Sequence, residues 1–350
     1  MKTQKMKSIL LAMLFMLAAI NFTLAQEASK TINKDFRVNR DANLIVDNRF
    51  GKIHCNVWDQ NQITIEVVIT AKARNQREAE LLIESVDVNI SGNNAKVKAV
   101  TNISGRVGGD KTSLSVDYTI NMPRTLKLEL TNRFGDIYLD ENAGSSQISL
   151  EYGNLQINRL SGGDHQLNMR FSKGMLGKAD KLELDLSYSE LTSNEIQNLV
   201  INSRFSTFEV ETAGSISQDS QYDTNRLGDL SSVKTVARFS NISIGSISER
   251  LELDVQYGGC TVKEIGPGFK DINIQNSFGN VELRFSPGAS FRLDAKSSFG
   301  NVSFPKKSNV VVEETSFTGK KFEGTVGDDS QPSGVVNIST KNGDVSLKMK

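Results

Sequence analysis

The chain is predicted to be all-β, a parallel β-solenoid of about 12 rungs capped at its N-terminal end by a strand-rich segment with one short helix. Three observations predict this. An aromatic residue followed by a small or turn-forming one returns at a nearly constant interval, the residues around each aromatic alternate with period two, and only one segment carries apolar residues at helical spacing.

The first 25 residues are set apart. Lys2, Lys5 and Lys7 precede an apolar run from Ile9 to Ala19, and Thr23-Leu24-Ala25 stands before Gln26. These are the parts of a cleaved secretory signal, so export is expected, to the periplasm, the cell surface or the medium. The run is short for a membrane span, and no later stretch approaches the ~20 apolar residues a spanning helix requires. No cysteine sits just after the cleavage site, which argues against lipid attachment through an N-terminal cysteine.

Residues 26–120 form the expected cap. Within it Asn75 to Ser85, NQREAELLIES, combines helix formers with Ala79, Leu82 and Ile83 on one face, predicting a helix near 75–85 between strand-like runs. An open end of stacked strands exposes unpaired backbone, and a covering element is the expected remedy. The Gly-rich stretch from Gly105 to Asp110 reads as a loop, and Phe50-Gly51 is an early copy of the aromatic element.

Residues 121–350 form the expected repeat domain. The element recurs at Phe134, Tyr152, Phe171, Tyr188, Phe205, Tyr222, Phe239, Tyr257, Phe278 and Phe299, at intervals of 17 to 21 residues. Phe322 and Asn342-Gly343 extend the series in chain order. Strand-like alternation flanks each copy, as in Leu126, Leu128 and Leu130 before Phe134, and Gly-Asp or Gly-Asn steps supply the bends. A unit this short cannot bury its own apolar face, whereas stacked units share one continuous core. An antiparallel sandwich would give no reason for the fixed interval. The aromatics, alternating Phe and Tyr from Phe134 to Tyr257, are expected to stack as an internal or bend-lining ladder.

Little in the chain suggests catalysis. Cys55 and Cys260 alternate with apolar neighbours and fall many repeats apart, so both read as small core residues and not as a disulfide. His54 and His165, the two histidines, lack partners at motif spacing and read as surface or turn residues. No metal site, cofactor motif or phosphate loop is present in the pattern. Glu183 with Asp185, and Glu252 with Asp254, share one strand face and alternate with leucines, as solvated outer residues do. Without residues 1–25, which hold three lysines and no acid, the balance is 38 basic to 41 acidic residues, and a nucleic-acid partner is not expected.

One surface column stands out. The residues before the aromatics include Arg133, Arg170, Arg204 and Arg238 on alternate repeats, with Glu151, Ser187 and Gln221 between them. Stacked in register, these four would form a ladder suited to a repetitive anionic ligand such as an acidic glycan, since Arg matches planar carboxylates.

The Phe-Gly-Asp/Asn units at Phe134, Phe278 and Phe299, the leading LIVDNRFGKIHCNVW from Leu44 to Trp58 and the closing VVNISTKNGDVSL from Val335 to Leu347 resemble the bacterial β-strand-repeat family labelled "putative adhesin". The likeness spans about residues 35 to 350. It implies a right-handed coil and an envelope or surface location, and brings no catalytic residues with it. A non-enzymatic binding or adhesin-like module is therefore the first expectation. A structural or regulatory envelope protein that contacts another protein is the second, and a carbohydrate-active enzyme the third.

Overall fold

The structure is a computed structural model that describes residues 26–105 and 112–350. The expected leader over residues 1–25, and most of the expected Gly-rich loop, lie outside the described residues. The described chain is all-β apart from one helix, with a long, largely parallel and unclosed sheet of many strands.

Its regularity is clearest in the middle. Strands Lys173–Ser187, Glu190–Arg204, Thr207–Gln221 and Thr224–Arg238 pair in parallel, each residue beside the one 17 further on, as in Leu182↔Leu199, Leu199↔Ile216 and Ile216↔Val233. The period-two pattern explains which side chains face in. Leu182, Leu184 and Leu186 are buried while Glu183 and Asp185 face solvent. Because the register repeats, like sits over like, and the inward residues from Leu44 to Leu347 form one hydrophobic cluster.

Each of these middle strands leads into an aromatic held in the left-handed region. Eleven aromatics, from Phe50 to Phe299, have φ between 49° and 62°, and Asn342 shares that conformation with φ 54°. A bulky residue at positive φ is strained, at about 1–3 kcal/mol each, and persists only where its surroundings over-determine it. Here the ladder pairing on both sides does so.

The residue after the aromatic turns inward, against the backbone of the neighbouring repeat. Ser172, Ser189, Ser206 and Ser240 use the place for a buried polar ladder. The Ser172 N–H donates to Ser189 Oγ at 3.1 Å, Ser189 N–H to Ser206 Oγ at 3.2 Å and Asp223 N–H to Ser240 Oγ at 3.0 Å. Asp223 continues the column with a carboxylate that accepts from Ser206 N–H at 2.7 Å.

At the N-terminal end chain order and spatial order part. Asn43–Arg49 pairs with Lys127–Arg133, and Ile53–Trp58 with both Ile137–Asn142 and Ser113–Pro123, so the Phe50 copy lies directly against the Phe134 copy. The segment between them adds strands Gln62–Ala73, paired antiparallel with both Gln26–Arg37 and Ser113–Pro123, and the antiparallel pair Val86–Gly92 and Lys96–Ile103. The expected helix is present as Gln76–Glu84, opened by Asn75, whose Oδ1 accepts from the Glu78 N–H at 2.9 Å. It buries Ala79 and Ile83 and packs on Gln26–Arg37 and Gln62–Ala73.

The C-terminal end corrects the expected series. Gly334–Lys341 lies between Asp271–Ser277 and Phe291–Ser298, so Asn342 comes before Phe299 in space although it follows it in sequence. Phe322 does not continue the corner series. It is buried in Gly319–Val326, which runs antiparallel to Phe291–Ser298 and therefore needs no corner.

His165 also departs from expectation. It is buried in His165–Arg170, in the column of Leu128, Ser146 and Leu182, with Nδ1 2.8 Å from Ser146 Oγ. Burial holds its imidazole below the usual histidine value, opposed by a hydrogen bond with the Ser161 backbone and by Asp180 and Asp164. With the folded value depressed, the unfolded chain takes up the proton first, so stability should be lost as pH falls below about 6.5. The urea midpoint is expected to drop between neutral pH and mildly acidic pH, and His165→Leu, which copies Leu182 at this place in the next repeat, should flatten that slope. An unchanged slope in the variant would assign the pH dependence to other groups.

Candidate functional site

The aromatics stand outside the core, as a bend-lining ladder and not an internal one. Ten rings stack in unbroken series from Phe50 to Phe278, with centroids 4.8 to 5.3 Å apart and planes within 1° to 18° of parallel. The nine rings from Phe134 onward are 42% to 53% exposed, so each covers its faces with its neighbours and offers solvent only an edge. Sugar rings stack on aromatic faces, and along this ladder those faces are occupied. What the ladder presents is a continuous ridge, with Tyr152, Tyr188, Tyr222 and Tyr257 on alternate repeats.

The expected arginine column lies beside this ridge. In register it runs Arg49, Arg133, Glu151, Arg170, Ser187, Arg204, Gln221 and Arg238. Arg49 was missed, although it precedes Phe50 just as the others precede their aromatics. Its guanidinium sits 4.8 Å from the Phe50 centroid and 5.7 Å from that of Phe134.

A second column, two residues earlier on each strand, carries Asn168, Asp185, Asn202, Asp219 and Val236. Acids thus fall on the repeats that lack arginine, and the face is a charge-balanced checkerboard. Arg238 Nη1 lies 3.4 Å from Asp219 Oδ1, and Arg133 Nε 3.7 Å from Glu151 Oε2. Among the described residues no such ion pair is formed by Arg170 or Arg204, both exposed. Between the columns lies an open depression of about 430 Å³, lined by Asp185, Ser187, Asn202, Arg204, Asp219 and Arg238.

Burial pushes both cysteine thiols up to about 12, and the two remain free. Glu183 accepts from Gln166 Nε2 at 3.0 Å, and Glu252 meets Lys234 Nζ at 2.8 Å, both on the outer strand face. No group of three or more potential metal-ligating side chains occurs among the described residues, and no helix there is long and apolar enough to cross a membrane. A second groove of about 490 Å³ runs across the repeats, lined by Leu182, Leu199, Ile216, Val233 and Leu251.

No family model matches the chain, and no curated protein matches it. Among solved structures it is similar to a putative adhesin from Parabacteroides distasonis, at 12% identity over 91% of this chain and 97% of that one, with a TM-score of 0.33. It is similar to a putative adhesin from Parabacteroides merdae, at 12% identity over 91% and 96%, with a TM-score of 0.32. A third, described as a putative lipid binding protein from Parabacteroides distasonis, aligns at 10% identity over 91% and 96%, with a TM-score of 0.27. The adhesin descriptions agree with the resemblance carried by the Phe-Gly-Asp/Asn units. Scores this low carry no function across.

Proposed function

We propose that this chain is an exported, non-enzymatic binding protein, a parallel β-solenoid of about twelve rungs that holds a linear acidic glycan along its aromatic ridge. The twelve non-glycine corners at positive φ among the described residues support the rung count. The reading rests on one observation above all. Arg170 and Arg204 stand two strands apart on one column, each with its guanidinium fork free of an ion pair with any carboxylate among the described residues.

That spacing, about 10 Å for two strand separations, selects the ligand. A polymer with one carboxylate per disaccharide would meet successive arginines and set its hydroxyl-rich sugar opposite Asp185 and Asp219, which accept hydrogen bonds. A denser polyanion would put charge against those acids as well and be repelled. The ridge therefore favours an alternating uronate polymer over polyphosphate or nucleic acid. Single contacts of this kind are weak, and a rigid row multiplies them.

Arg170→Ser and Arg204→Ser are each expected to weaken retention on an alternating uronate polymer roughly tenfold, the effect of one charged hydrogen bond, with thermal stability unchanged. A glycan array and pull-down with the purified protein supplies the comparison. Unchanged retention in the double variant would remove the ridge from the binding site. A silent array with one strong protein partner would favour an envelope protein that acts through another protein, and release of reducing or unsaturated sugar ends would favour an enzyme.

A further inference from the structure

We propose that the C-terminal end of the sheet is a self-association edge, where the strand Ser308–Glu314 pairs antiparallel with the same strand of a second copy. Among the described residues this strand has one neighbour, Gly319–Val326, and its other side carries unpaired backbone donors and acceptors. Val311 is 70% exposed and Val312 50%, and Phe317 at the adjoining turn is fully exposed. An open edge bearing a row of valines is a template for another strand.

The opposite end of the sheet is built differently. On Gln26–Arg37 every exposed side chain is polar, including Glu27, Lys30, Lys34 and Asp35, and on Val86–Gly92 the exposed side chains are those of Asp87, Asn89 and Ser91. The helix Gln76–Glu84 packs against Gln26–Arg37 and leads directly into Val86–Gly92. That end is charged and covered in the manner of edges that resist pairing. The apolar edge therefore lacks a matching surface at the far end, and self-pairing is the arrangement that satisfies it.

Charge sets the direction. Lys306-Lys307 precedes the strand and Glu313-Glu314 closes it. Antiparallel pairing with Val310 on a two-fold axis puts Lys306 against Glu314 of the second copy and Lys307 against Glu313, while parallel pairing would set like against like. Lys307 already meets Asp328 within the chain, and Glu313 and Glu314 stand opposite Lys321 and Lys320. The intermolecular charges thus choose the register, and the valines and the backbone provide the attraction. Such a contact is isologous, so association closes at two copies. One strand pair makes a small interface, below about 1,200 Å², so the dimer forms with rising concentration. It would join two rods end to end and double the number of ridge contacts.

Sedimentation velocity of the purified protein over a wide concentration range tests this. The expected result is a mass that rises from one chain to two, and Val311→Lys, at an exposed position that leaves the circular dichroism unchanged, should hold it at one. Lys306→Glu with Lys307→Glu should weaken the dimer at least tenfold, and adding Glu313→Lys with Glu314→Lys should restore it. A single-chain mass at every concentration, growth beyond two copies, or a Val311→Lys protein that still dimerises would each overturn the proposal.

Discussion

Replacing Asp223 with leucine is expected to cost about 3–5 kcal/mol, the range for removing one partner from a buried charged network. The carboxylate is 4% exposed and accepts four hydrogen bonds, from Ser203 Oγ at 2.7 Å, Ser220 Oγ at 2.8 Å, Ser206 N–H at 2.7 Å and Gln221 N–H at 2.9 Å. Leucine would fit the apolar count of the core and strand all four donors. Serine is the instructive control, because Ser189, Ser206 and Ser240 occupy the same place in nearby repeats and their hydroxyls accept the neighbour's backbone N–H. Asp223→Ser should therefore keep the Ser206 contact and cost only about 1–2 kcal/mol. Urea unfolding of both variants separates them, and equal losses would show that the network contributes nothing beyond filling space.

Gly51→Ala is expected to be the second large effect, at about 3 kcal/mol, with the damage confined to one end. Gly51 has φ 146°, and a Cβ there would lie 2.3 Å from the Val116 carbonyl oxygen. Its carbonyl oxygen accepts from Asn132 Nδ2 at 2.7 Å, while the Phe50 oxygen receives the Val116 N–H, so neither side can move away freely. In a stack where each unit touches its neighbours, loss should stay local. Hydrogen exchange should show protection lost across Asn43–Trp58 and Ser113–Pro123 and kept across Lys173–Arg238. Uniform loss along the chain would mean that it unfolds as a single cooperative unit.

Much of this fold is readable from the sequence because its rules are local. Alternation with period two told which residues face inward, the repeat interval told which residues share a column, and the spacing of Ala79, Leu82 and Ile83 marked the one helix of the described residues. The arginine column followed from the same counting. The facing of the aromatics did not. Continued alternation from Leu184 and Leu186 would bury Tyr188, yet the left-handed corner reverses the facing there, so Tyr188 is exposed and Ser189 is buried. The Gly or Ser that follows the aromatic at every corner but Tyr222 was the available sign, since the neighbouring backbone comes close there.

Two further matters depended on contacts far apart in the chain. Whether an arginine stands free or paired depends on a neighbour on another strand, directly opposite for Arg133 and diagonal for Arg238, and so Arg170 and Arg204 differ from these two. Whether a strand joins the stack in turn depends on which edge is vacant with the right register, and so Gly334–Lys341 slips in ahead of Phe291–Ser298 and leaves the Ser308–Glu314 edge open. The sequence by itself determined the repeated unit, its inward face and its columns, because each follows from backbone geometry within about twenty residues. The order of the last strands, the outward turn of the aromatic ladder and the free guanidiniums were decided only by tertiary structure, because edge pairing and side-chain pairing are choices among distant partners.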